Sequence, residues 1–450
     1  MDAAYDYYHL FPSPTDTDVD SSFTSSSTSA RTSLARSSLT LSFNESRPST
    51  AHPSRPHRNS HPNWSAINAA TTLSSDGRLH LSHLKLLRHL GTGNLGRVFL
   101  CRLRHYDYAT FALKVVDRDA LSPKKLSQVQ MEADILSALD HPFLPTLYAH
   151  LNVSHYSCFL IDYCPGGDLH SLLRRQPSHR LPLESVRFFA AEILVALEYL
   201  HALGVVYRDL KPENVLLRED GHVMLSDFDL CFKSDVTPRL LRRSKPARKI
   251  HRYSRCFGSG SPRQVLVTEF VAEPTTAHSK SCVGTHEYLA PELVSGAGHG
   301  SGVDWWAFGV FIYELLYGTT PFKGVSKEAT LRNIVGNGPV KFPDDVVCEE
   351  AKDLMSRLLV RSPERRLGAA KGAVEIKRHP FFEGIKWPLI RNYRPPSEVR
   401  GMMTTNKKKV GMMSPRRRWG WWKGLLSYLM KSKGSRRNYS NSNYHSLSRQ

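Results

Sequence analysis

The sequence holds no C-x-x-C pair, and its seven cysteines are scattered along 450 residues. That odd, unpatterned set argues against a disulfide framework or a zinc site and fits thiols kept reduced inside a cell. No stretch of ~18 apolar residues occurs, so no transmembrane helix is expected. Met1-Asp2-Ala3-Ala4-Tyr5-Asp6 lacks the basic start and apolar run of a secretory signal. Asp2 also stands where N-myristoylation needs glycine. Acidic side chains are scarce: 41 against 61 Lys and Arg, with none after Glu398. The formal charge of +20 points to an anionic partner, whether nucleic acid, acidic protein or the inner face of a membrane. Hydrophobic residues make up 40%, enough for one large domain with tails or for two domains.

Residues 1–83 read as a disordered N-terminal region. From Ser21 to Ser75 they are rich in Ser and Thr and too poor in periodic apolar residues to offset the entropy of ordering. Arg31-Thr32-Ser33 and Arg36-Ser37-Ser38 are either plain polar tail or targets of a base-directed kinase, this chain included. Order begins near His83. Leu84 to Leu87 and Val98 to Cys101 read as strands flanking a glycine-rich turn, and Phe111 to Val116 as a third strand. Helical spacing follows around Val129 to Leu139 and again from Leu183 to His201. Strands first and helices later predict an α+β, two-lobed domain over 84–382. Within it, 233–280 forms a basic insertion without a core, with eleven Lys and Arg against Asp235, Glu269 and Glu273. Residues 383–450 form a C-terminal extension ending in a basic, Trp-rich tail.

Tyr207-Arg208-Asp209-Leu210-Lys211-Pro212-Glu213-Asn214 carries the most chemistry. An Asp able to take a hydroxyl proton, a Lys able to meet a phosphate and an Asn able to hold a metal lie within six positions. The stretch resembles a protein-kinase catalytic loop with Tyr207 in place of the usual His. Phosphoryl transfer needs these roles together because its catalysis is mostly positioning and charge neutralisation. Other parts follow in order. Gly91-Thr92-Gly93-Asn94-Leu95-Gly96-Arg97-Val98 matches a glycine-rich loop whose bare backbone can approach phosphates. Lys114 on the next strand would meet the nucleotide's phosphates and the carboxylate of Glu132. Asp227, in Asp227-Phe228-Asp229, would bind magnesium, with Asn214 at a second metal position. Asp229 stands where Gly is usual. It tolerates left-handed backbone less freely than Gly, so flipping of the turn is expected to be restricted. Gly284-Thr285-His286-Glu287-Tyr288-Leu289-Ala290-Pro291-Glu292 closes an activation segment. Glu292 would pair with Arg366, and Asp304 would brace the catalytic loop backbone.

Residues from about Leu84 to Phe382 resemble the AGC group of serine/threonine protein kinases, through the Gly284–Glu292 run and Pro380-Phe381-Phe382 before Trp387. Asp227-Phe228-Asp229 and the long insertion resemble the plant AGC VIII subgroup. Ala30 to Phe43 is similar to the WAG kinases, relatives of PINOID. The resemblance implies a serine/threonine protein kinase using ATP and Mg2+. It implies a nucleotide site made by Leu90, Gly91, Thr92, Gly93, Asn94, Leu95, Gly96, Val98, Lys114, Glu132 and Asp168. It further implies phosphorylation of PIN auxin-efflux carriers, activation-segment phosphosites at Ser279 and Ser281, and substrate recognition by Glu213 and Thr285. Ordinary surface carboxylates are the alternative reading of Asp168 and Glu213. The chain ends without the Phe-x-x-Phe motif of many AGC kinases.

If Arg416 to Lys431 is helical, Trp419, Trp422, Leu425, Leu426, Leu429 and Met430 share one face above basic flanks, which suits an anionic membrane interface or packing on the kinase core. Lys245 to Lys249 could act as a nuclear localisation signal, the insertion as a second membrane contact, a docking arm or a solvated loop. The expected place is the cytoplasmic face of the plasma membrane, with cytoplasm and nucleus open. The chain is expected to be a monomer, and nucleic acid is not expected as a partner because the basic segments lack a base-reading motif. An inactive, membrane-associated pseudokinase scaffold is the alternative function.

Overall fold

The structure, a computed structural model, describes residues 56–59, 62–236, 238–246, 264–274, 277–281, 283–343 and 348–399. The phosphorylation motifs near Arg31 and Arg36, the Arg416–Lys431 segment and the chain end fall outside these residues, as does Ala247-Arg248-Lys249.

Five antiparallel strands make the small lobe: β1 (Leu84–Thr92), β2 (Arg97–Leu103), β3 (Tyr106–Asp117), β4 (Leu147–Val153) and β5 (Tyr156–Asp162). Their spatial order is β1-β2-β3-β5-β4. Both faces of the middle of this sheet are buried, so Phe111 to Val116 on β3 are buried in a row, apolar except for Lys114, rather than alternating. Phe111, Leu113 and Val115 point to one side; Ala112, Lys114 and Val116 point to the other. The Phe111 side is covered by a helix, Pro62–Thr72, which contributes Ala66, Ile67 and Ala70 to a cluster with Phe99, Cys101, Phe111 and Tyr148. Trp64 packs tilted against Tyr148, with ring centroids 5.3 Å apart. The sequence reading of 1–83 as disordered therefore does not hold for Pro62–Thr72. Those residues gain helical structure from docking on the sheet, since eleven residues are too few to be stable alone.

The helix Pro123–Ala138 lies on the Lys114 side and carries buried Glu132 inward. The large lobe is helical. The helices Leu183–Ala202 and Gly302–Tyr317 run through its core; the second is buried almost all round and stops at Gly318, whose φ of +74° suits glycine. The helix Glu349–Leu358 packs beside it. Two short antiparallel pairs follow, Val205–Val206 with Phe232–Lys233 and, nested between them in the chain, the hairpin of Val215–Leu217 with Val223–Leu225. They fix the start and end of the catalytic loop. The basic insertion, read as coreless, begins and ends in a hairpin: Arg239–Pro246 pairs antiparallel with Gln264–Val271 over eight residue pairs.

Candidate active site

The sheet register sets the position of Lys114. It sits opposite Val98 on β2 and Phe159 on β5, facing away from the Pro62–Thr72 helix. Its Nζ donates to Glu132 Oε1 at 2.6 Å and to Asp227 Oδ1 at 3.3 Å. Burial disfavours the ammonium, but the charges of Glu132, Asp227 and Asp229 outweigh it and hold the Lys114 pKa above the usual lysine range. Asp229 is buried, and its Oδ2 has no hydrogen-bond partner among the described residues. Burial, with Asp227 adjacent, pushes its pKa up to about 7. The strained backbone falls on Asp227 itself, with φ of 58°, and not on Asp229. The left-handed conformation expected at the third position of this turn is thus required at the first, where it aims a carboxylate into the cleft.

The glycines of the phosphate loop divide by role. Gly93 N donates to Gly96 O at 2.9 Å, closing the turn between β1 and β2. A Cβ at Gly96 would lie 2.4 Å from the carbonyl oxygen of Val115, so this glycine is required by strand packing. Gly91 has nothing within 4 Å of such a Cβ, and at Gly93 the nearest atoms include Asp227 Oδ2 at 4.0 Å. These two leave the open approach that a phosphate needs. Asn94 at the tip is exposed, while Leu95 turns in and is buried. Leu90 and Thr92 lie within β1 and Val98 within β2.

Asp209 is the hub of the catalytic loop. Lys211 Nζ donates to its Oδ1 at 3.1 Å and its Oδ2 at 2.8 Å. Asn214 Nδ2 donates to Oδ2 at 2.8 Å, and Thr285 Oγ1 to Oδ1 at 3.4 Å. Lys211 Nζ also reaches Thr285 Oγ1 at 2.9 Å, joining the activation segment to the loop. Beneath, both oxygens of buried Asp304 hold backbone: Tyr207 N at 2.8 Å and Arg208 N at 2.7 Å. Arg208 carries φ of 67°, an unfavourable conformation for arginine that these bonds sustain. Tyr207 is fully buried, packs edge-on to Phe228 at 5.5 Å and donates its hydroxyl to Ser226 O.

Arg208 turns away from Asp209 toward the activation segment. Its Nη1 donates to Ser279 Oγ at 3.3 Å and to Ser281 Oγ at 3.2 Å. Its guanidinium stacks over Phe232 at 4.7 Å. Burial, aided by Arg208, pushes His299 down to about 4, leaving Arg208 as the cation facing both serines. Glu292 and Arg366 form a two-pronged pair at 2.7 and 2.9 Å, with Arg366 over Trp306 at 5.2 Å. Asp168 caps the helix Leu169–Leu173, accepting from Ser171 N at 2.6 Å. Glu213 is half exposed, 3.5 Å from His170 Nδ1. Sequence reasoning missed His201, whose two nitrogens lie 2.9 Å from Asp304 and 2.8 Å from Glu273.

Lys114, Glu132, Asp227 and Asp229 thus form one cluster and Asp209, Lys211 and Asn214 a second, and the two are tied where Ser226, beside Asp227, donates from N and Oγ to Asn214 O at 2.9 Å. Among the described residues no three His, Cys, Asp or Glu side chains form a metal cage of their own. That donor set suits magnesium, which takes one or two carboxylates and completes its shell with phosphate and water. The negative surplus beside Asp229 supplies the attraction.

The sequence model of the protein kinase domain matches residues 84–244 and 266–382. The chain is 62% identical over 464 residues to the serine/threonine-protein kinase WAG1 of Arabidopsis thaliana, across 96% of this chain and 97% of that one. It is 61% identical over 470 residues to WAG2 of the same plant, across 98% and 96%. It is 44% identical over 448 residues to protein kinase PINOID 2 of Oryza sativa subsp. japonica, across 84% and 89%. A match spanning lobes, catalytic loop and most of both tails leaves one assignment: the chain belongs to the protein kinase family, among the plant AGC serine/threonine kinases of the WAG type.

Proposed function

We propose that this kinase transfers the γ-phosphate of ATP to serines of the cytosolic loops of PIN auxin-efflux carriers and so regulates polar auxin transport. The observation that supports the chemistry is a pair of bonded clusters, Lys114 with Glu132 and Asp227, and Asp209 with Lys211 and Asn214, tied together where Ser226, beside Asp227, donates to Asn214 O. Gly91 and Gly93 admit the phosphates, Lys114 pairs with them, and Glu132 holds Lys114 in place. Asp227 and Asn214 would hold magnesium, which neutralises phosphate charge when bound. Asp209 orients the substrate hydroxyl and takes its proton as the oxygen–phosphorus bond forms and the β–γ bridge breaks, releasing ADP. Lys211 offsets charge on the moving group. Thr285, bonded to Lys211, positions the acceptor segment, with Glu213 and Asp168 at the rim for basic residues and the ribose.

Phosphate on Ser281 or Ser279 would meet Arg208 and order the segment, since a charge-assisted pair is stronger than the present hydroxyl contacts. The protein acts as a monomer at the cytoplasmic face of the plasma membrane, held there by the basic tail and insertion on anionic lipids. Exposed Leu240 and Phe270, paired across the insertion hairpin, support a lipid contact there. The PIN assignment rests on the WAG-type likeness.

The test is transfer of labelled phosphate to purified PIN cytosolic loops. Wild type modifies them; Asp209→Ala binds ATP but loses turnover by about 10³-fold or more. Wild-type rates from Asp209→Ala would remove Asp209 as the base, and inert PIN loops would remove the substrate assignment. A variant truncated before Arg416 should keep peptide kinase activity and lose binding to phosphatidylserine vesicles.

A further inference from the structure

Two of the three carboxylates in the cationic insertion are not solvated. Glu269 and Glu273 are each 8% exposed. Glu269 pairs with Arg378 at the root of the hairpin. Glu273 goes deeper. Its Oε1 accepts from Ala373 N at 3.3 Å, and its Oε2 lies 2.8 Å from His201 Nδ1. Room for it is made at Gly372, with φ of +57°: a Cβ there would sit 1.7 Å from Glu273 Oε1.

His201, on the last turn of the Leu183–Ala202 helix, is wholly buried. Its Nε2 lies 2.9 Å from Asp304 Oδ2, and the Trp305 ring meets it edge-on at 4.7 Å. A histidine facing a carboxylate at each nitrogen donates from both and is an imidazolium. Burial opposes that charge, but Glu273 and Asp304 together outweigh it and raise the pKa to about 10. Asp304 in turn holds the peptide N–H groups of Tyr207 and Arg208, immediately before Asp209.

We propose that Glu273, supplied by the insertion, is a positioning residue for phosphoryl transfer: it keeps His201 a double donor, and through His201 it fixes Asp304 and the backbone that aims Asp209. The insertion is then part of the catalytic support as well as an appendage. The proposal rests on the reading of Asp209 as the base. Without Glu273, His201 loses the partner that sustains its charge, and Asp304 loses a charge-assisted bond. The loop backbone loosens while the nucleotide contacts of Lys114 stay as they are.

The experiment is steady-state kinetics of the full chain with magnesium, ATP and a serine peptide bearing upstream arginines. Glu273→Gln should lower kcat about ten-fold with KM for ATP unchanged. His201→Gln should give a similar loss, and the double variant no further loss, because the two act in one chain. Glu273→Asp, which restores the charge, should recover part of the rate. Glu269→Gln, in the same insertion but outside the chain of bonds, should leave kcat as it is. Amide hydrogen exchange over residues 205–210 supplies a reading independent of turnover: protection of that peptide should fall in Glu273→Gln and not in Glu269→Gln. Unchanged kcat and protection in Glu273→Gln would overturn the proposal. So would multiplicative losses in the double variant, or an equal loss from Glu269→Gln. Turnover retained by Asp209→Ala with protection still dependent on Glu273 would instead strike the assignment of the base and leave the relay standing.

Discussion

The two ionic clusters that meet in the cleft differ in completeness. Around Lys114 one cation faces Glu132, Asp227 and Asp229, and a buried oxygen of Asp229 has no hydrogen-bond partner among the described residues. Around Asp209 and Asp304 all four carboxylate oxygens accept hydrogen bonds. The first cluster is short of positive charge and suits a ligand that brings some. The second is closed on itself and suits holding a backbone still. Preorganisation and ligand capture are thus assigned to different halves of one site.

Three changes would break or sharpen that contrast. The largest effect is expected for Lys114→Met, which removes the sole cation of the open cluster: peptide phosphorylation should fall by about 10³-fold, measured with labelled ATP. A loss under ten-fold would mean that the open cluster does not contact the reacting phosphates. Glu292→Ala tests a closed ion pair outside both clusters. It leaves Arg366 buried without its carboxylate, so the unfolding free energy should drop by about 3–5 kcal/mol in urea titration. A drop within experimental error would show that the pair is replaceable. The smallest effect concerns pH. His201 has a folded-state pKa of about 10 against an ordinary 6.5. Its contribution to stability is therefore complete below about pH 6.5 and is lost as pH rises through about 10. The stability gap between wild type and His201→Gln should be widest near ~pH 6 and narrow steadily toward alkaline pH. A gap that widens with pH would mean that His201 is neutral in the fold.

Much of the site could be read from the chain because its parts are local. The glycine loop, Lys114, the Tyr207–Asn214 run and the Gly284–Glu292 run each carry their chemistry within a few residues. What escaped was long-range or small. Ala66, Ile67 and Ala70 offer a helix face too slight to register as a pattern, and the sheet that stabilises it comes later in the chain. His201 read as the end of an amphipathic helix, because Glu273 and Asp304 lie 72 and 103 residues away. The one available signal was compositional: three acids persisting among eleven cations invite the question of what they hold. At Asp227-Phe228-Asp229 the residue pattern alone does not show where the strain lies. The usual glycine suggests that the third position of the turn needs conformational freedom, whereas here the first position adopts the strained geometry.

The eight-pair ladder at the root of the insertion has a consequence for how this part of the protein can change. Because Arg239 lies opposite Val271, the polypeptide leaves and re-enters the large lobe at neighbouring points. Lengthening the connection at the far tip adds only about 0.6 kcal/mol of closure entropy per doubling and does not move those points. The tip is therefore a natural place to graft an epitope, a fluorophore or a new docking sequence, with the chemistry shielded from the graft by the rungs below it.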